Sequence, residues 1–186
     1  MIDGAVYGLV FTVIDRVRVM WFFMIICYLF TGASFVLLLG TGMHGLLQSR
    51  FAILEGLSHL NMALIAIIIY LFTEVLIMFF FIGTGSSVKD FVRQHHLDSG
   101  LYDRVKAIKH VLFPGTMMSI TLFSVAFIVG GAVDRSGLPS WIHGLLFVVA
   151  MVHFVKLLPK QNHCFRLNTE IFRDLTEAYE ARRSAE

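Results

Sequence analysis

Residues 59–85 read HLNMALIAIIIYLFTEVLIMFFFIGTG. Between positions 60 and 82 the only acid or base is Glu74. As a helix, that segment is about 34 Å long at roughly 1.5 Å per residue, enough to cross a bilayer core of about 30 Å. A carboxylate well inside such a span costs about 2.5–3.5 kcal/mol on insertion scales, so it needs a partner or a purpose. This stretch decides the class: an all-α integral membrane protein.

The rest of the chain agrees. Of 186 residues, 57% are hydrophobic, only 15% are charged, and Phe alone occurs 18 times. Soluble domains average roughly 45–50% apolar and 25% charged. The mean hydropathy is +0.76. Two cysteines, Cys27 in a span and Cys164 beyond the last span, sit in unlike surroundings and form no CxxC pattern. The opening MIDGAVYGLVFTVIDR has neither a positive n-region nor a cleavage site, and reads as a retained segment.

Working outward, four spans are expected, at about 19–39, 59–82, 110–132 and 141–158. Gly40-Thr41-Gly42 is expected to end the first, and Gly83-Thr84-Gly85 the second. Residues 4–14 are too few to cross and read as an interfacial helix, with Gly4 and Gly8 at a close-packing spacing. Residues 43–57 connect the first two spans, with His44 as a lone loop histidine. The polar loop 86–109 is expected to hold a short helix, VKDFVRQHHL, opened by Ser87 and Asp90. Pro114 lies in the first membrane turn of the third span, where Ala126 and Gly130 are spaced to admit a neighbour. Ser140 is expected to cap the fourth span, and Pro159 follows it. Trp21 and Trp141 sit at headgroup depth. Residues 1–163 thus form a four-transmembrane-helix bundle, and 164–186 an amphipathic tail helix.

With the N-terminus inside, thirteen of the 15 Lys and Arg residues fall on the inner side, leaving Arg50 and Arg135 outside. That asymmetry predicts both termini in the cytoplasm, as in a bacterial inner membrane.

Eight histidines raise haem or metal ligation. His59 and His143 share the outer depth, and His110 comes near His153. Imidazole is the usual axial ligand of haem b, and helix bundles build such sites from facing helices. Two pairs would resemble the layout of a two-haem, four-helix cytochrome b, an architecture rather than a motif. Against it, His143 and His153 are ten residues apart, so they point about 80° away from each other. One haem escapes that objection. His95-His96 chelate poorly together, and one HH pair without HxxxH does not make a desaturase. His163, beside Lys160 and Arg166, fits a basic headgroup-binding face.

Glu74 has Tyr70 one turn before it and His153 within reach if the second and fourth helices touch. Tyr70, Glu74 and His153 then form either a proton relay or a carboxylate–histidine metal site, or Glu74 is one neutral buried hydrogen bond. No phosphate loop, nucleophile elbow or dinucleotide fingerprint is present, and the basic residues lack the aromatics that bind nucleic acid. Three functions stay open: a subunit that docks or assembles a larger membrane complex or homo-oligomer, a haem b redox subunit between quinone and a partner, and proton or ion transfer through Glu74.

Overall fold

The computed structural model describes residues 3–47 and 58–184, with side chains at 18–45, 58–133 and 135–184. At Gly4 and Gly8 only the helical backbone is described, so the expected close packing there, like the connection at 48–57, lies outside what the structure describes. Four helices account for nearly all of them: α1 (Asp3–Leu47), α2 (His59–Gln94), α3 (Gly100–Ser136) and α4 (Ser140–Ser184). No strand occurs among the described residues. All four are long and apolar enough to cross a membrane.

The turns are short and explained by their residues. Ser58 caps α2 by accepting from the Asn61 amide at 3.2 Å. His96 and Gly137 both take left-handed backbone, at φ 49° and 69°. At the α2 end the Leu97 amide reaches back to the Val92 carbonyl at 3.0 Å, which satisfies a terminal acceptor. Gly137 closes α3, and Pro139 accepts from the Ile142 amide as α4 begins. Ser140 is therefore the first residue of α4 rather than its cap.

Each helix packs on the next in sequence, α1 on α2, α2 on α3 and α3 on α4, while α1–α4 and α2–α4 touch less. Core positions repeat at alternating steps of three and four. On α1 they include Met20, Met24, Cys27, Ser34, Leu38 and Thr41, the seam of an antiparallel bundle. The apolar residues mostly face outward. Only 17–44% of the most apolar window of each helix is buried. Phe22, Leu29, Val36, Phe79, Val111 and Ile128 are all exposed, an arrangement that suits lipid rather than water.

Five expected boundaries are overturned, all in one direction. The helices do not stop where Gly and Pro suggest. α1 runs through Gly40-Thr41-Gly42 to Leu47, and its N-terminal part is continuous with residues 4–14. α2 passes Gly83-Thr84-Gly85 and Ser87 without a break, so no separate loop helix exists. α4 passes Pro159, so the tail 164–184 is its continuation. The cause at Gly85 is packing. A Cβ there would lie 2.8 Å from Val105 Cγ1, so glycine lets α3 approach. A helical glycine costs about 1 kcal/mol, which close α2–α3 contact offsets. At Pro159 one backbone bond is lost, but a break at the membrane edge would strand several polar groups.

The ends of α2, α3 and α4 extend past the apolar segments as a charged stem. Arg104 of α3 pairs with Asp174 of α4. Arg182 donates to the His96 carbonyl at 2.6 Å. Tyr179 stacks its edge on His95 and Phe91. The continuation also changes the cysteines. Cys27 and Cys164 are both free, buried and part of one core cluster rather than in unlike surroundings.

Candidate functional site

At the end of the bundle where α2 and α4 begin, three imidazoles meet. His59 of α2 and His143 of α4 have ring centroids 6.3 Å apart, with planes at 76°. His44 stacks on His59 from the last turn of α1, 5.9 Å away and nearly parallel at 4°. His44 was expected as a lone loop residue. It is a helical residue, 8% exposed, because α1 continues past Gly42.

Glycines make room for these rings. A Cβ at Gly45 would lie 2.9 Å from His59 Cε1, and a Cβ at Gly130 would lie 2.7 Å from His143 Cε1. At Gly42 the Phe147 ring occupies the same kind of notch. The small-residue pair Ala126 and Gly130 thus does admit a neighbour, and the neighbour is His143. A cavity of about 600 Å³ opens here, with walls from all four helices that include Thr41, His44, His59, Phe127, His143 and Phe147. That size is typical of small-molecule and cofactor sites.

His143 Nδ1 lies 3.0 Å from the Ala126 carbonyl oxygen. A carbonyl can only accept, so Nδ1 carries the proton. In the neutral ring Nε2 then holds a free lone pair. Fixing one ring nitrogen on a carbonyl while the other stays basic is how proteins prepare a metal-ligating histidine.

The second pair does not form. Contacts between neighbouring helices set the depths. Phe154 packs 5.3 Å from Tyr70, so His153, the preceding residue, lies at about the depth of Tyr70. Gly115 faces Leu157, which places His110 further along α4, close to the level of Asn162 and His163. The two histidines are therefore about 15 Å apart in depth, ten residues of helix at roughly 1.5 Å each. His110 is also exposed. Depths measured from the apolar span ends fail here because the helices overrun those ends.

Glu74 is fully buried, but its partner is neither Tyr70 nor His153. Gln161 Nε2 of α4 donates to Glu74 Oε2 at 2.8 Å. Tyr70 donates to Ser119 Oγ of α3 at 2.7 Å. Gln161 was overlooked because it follows Pro159, where the span was expected to have ended. Its signal is the core repeat Leu157, Gln161, Cys164, Asn168, which stays in step across the proline. Among the described residues, no three His, Cys, Asp or Glu side chains converge on a metal-ion position. Comparison with family models, curated proteins and solved structures finds no match.

Proposed function

We propose that this chain is a membrane redox subunit that holds one b-type haem at the His59 and His143 end of its bundle and passes electrons between quinone and a partner subunit. One observation carries the reading: His143, with Nδ1 committed to the Ala126 carbonyl and its ring seated over Gly130, stands 6.3 Å from His59. His59 and His143 would hold a haem iron, which would supply one-electron redox chemistry at this end of the bundle. A haem brings four nitrogens of its own, so two protein ligands suffice where a bare ion needs three or four. The largely apolar cavity walls suit a porphyrin face.

With the charged end in the cytoplasm, as the Lys and Arg asymmetry favours, the haem lies toward the outer face of a bacterial inner membrane. Both termini are then cytoplasmic.

The test is a reduced-minus-oxidised absorption spectrum of the protein purified in mild detergent after expression with haem supplied. A b-type spectrum with about one haem per chain is expected, abolished by His59→Ala and by His143→Ala. A colourless protein overturns it.

A second reading, a cofactor-free subunit that docks or assembles a membrane complex, is favoured by the charged stem. The stem extends all three connected helix ends beyond the apolar segments and presents Lys89, Arg93, Arg173 and Glu177. A colourless sample that copurifies with other membrane chains would support it.

A further inference from the structure

Near the middle of the bundle every helix brings a polar side chain to one level. The Tyr70–Ser119 hydrogen bond sets α2 against α3. One turn from it toward the stem, α2 carries Glu74 and antiparallel α3 carries Thr116. Ser34 of α1 shares a 2.8 Å hydrogen bond with Thr73, next to Glu74. Gln161 of α4 completes the level. Ser34, Glu74 and Thr116 are 0% exposed and Gln161 is 3% exposed.

Two buried polar atoms at this level have no protein partner, Glu74 Oε1 and Thr116 Oγ1. At membrane depth an unsatisfied polar group costs several kcal/mol. Among the described residues no cation pairs with Glu74. A carboxylate in such a place takes up a proton. Gln161 donates to Oε2, so Oε2 is the acceptor oxygen and the proton belongs on Oε1, the atom without a protein partner. Seven residues beyond Gln161 on the same face of α4, Asn168 is also buried with Oδ1 unpartnered.

We infer that Glu74 is a proton-binding site: a neutral carboxyl whose Oε1 proton exchanges with water at the buried polar level that Glu74 shares with Thr116 and Gln161. The surroundings contain little else that titrates. α2 contributes Tyr70, α1 contributes Cys27, α4 contributes His153 and Cys164, and α3 presents only hydroxyls. Lys156 and Lys160 are exposed, and Lys109 lies against Gly85, three turns away.

The test uses the full chain in liposomes and dicyclohexylcarbodiimide, an apolar reagent that attacks only protonated carboxyls. The carboxyl proton moves to a reagent nitrogen, the oxygen adds to the central carbon, and rearrangement leaves an N-acylurea carrying the whole reagent. Mass spectrometry then locates the adduct. Label at Glu74 is expected at neutral pH, declining to none in strong alkali. It should be unaffected by sodium and lost in Glu74→Gln, whose amide oxygen still accepts from Gln161. Thr116→Val keeps the side-chain shape and should slow the return of label after a shift from alkaline to neutral pH. Absence of label at every pH, or label independent of pH, overturns the inference. So does suppression by sodium at fixed pH, which would make the site a cation site. None of these outcomes depends on whether the protein holds haem.

Discussion

His143 of α4 donates through Nδ1 to the carbonyl of Ala126 on α3, 3.0 Å away, with its ring packed over Gly130. The contact joins helix packing to chemistry: the same small-residue notch that brings α3 and α4 together fixes the imidazole tautomer.

The notch can be filled. Gly130→Ala would put a methyl 2.7 Å from the His143 ring. The ring cannot swing away without losing its bond to Ala126. Overpacking of this kind costs about 1–3 kcal/mol. On the haem proposal, the expected result is a folded protein with haem content reduced several-fold, read from the absorption spectrum per chain. Gly131→Ala meets no neighbouring atom and on the same proposal should bind haem as the parent does, a control for glycine substitution as such.

His44 separates ligation from support. It stacks on His59 but is not paired with His143 by ring contact. If His59 and His143 hold a haem as proposed, His44→Ala should retain a b-type spectrum with a shifted midpoint potential. His59→Ala and His143→Ala should lose it. Loss of the spectrum in His44→Ala with retention in His59→Ala would reassign the axial pair.

Gln161 and Glu74 differ as targets of mutation. Gln161→Leu removes the donor to Glu74 and leaves both carboxyl oxygens unpartnered. An unsatisfied buried polar group costs about 1–3 kcal/mol. Thermal unfolding in detergent should therefore show a clear fall in midpoint. Glu74→Gln keeps an acceptor for Gln161 and should fall less. Equal losses would mean that the bond does not hold α2 to α4.

The stem carries a pH dependence. Partial burial, then Arg182 and His96, hold the His95 imidazole below its ordinary value of 6.5. The unfolded chain then binds the proton more readily than the folded one, so stability rises with pH across that window. His95 contributes nothing unfavourable above about 6.5, and protonation opposes the folded stem as pH falls below it. His95 is partly exposed, which keeps the effect small. Protection factors of the amides of 91–97, corrected for the intrinsic exchange rate at each pH, should fall between neutral and mildly acidic pH, and His95→Gln should flatten that change.

The sequence by itself determined the membrane class, the four helices and the shared depth of His59 and His143. These depend on local quantities: apolar run length, helical period and where each run begins. Both histidines open their helices, so their depth did not depend on where those helices ended. The tertiary structure decided what depends on continuation and on register between helices. Gly42, Gly85 and Pro159 look like stops, but the two glycines admit a packed neighbour and a break at Pro159 would leave backbone groups unsatisfied, so the helices run on. That continuation turned His44 into a buried neighbour of His59 and gave Glu74 to Gln161. It also separated His110 from His153 and placed Cys164 in one core with Cys27.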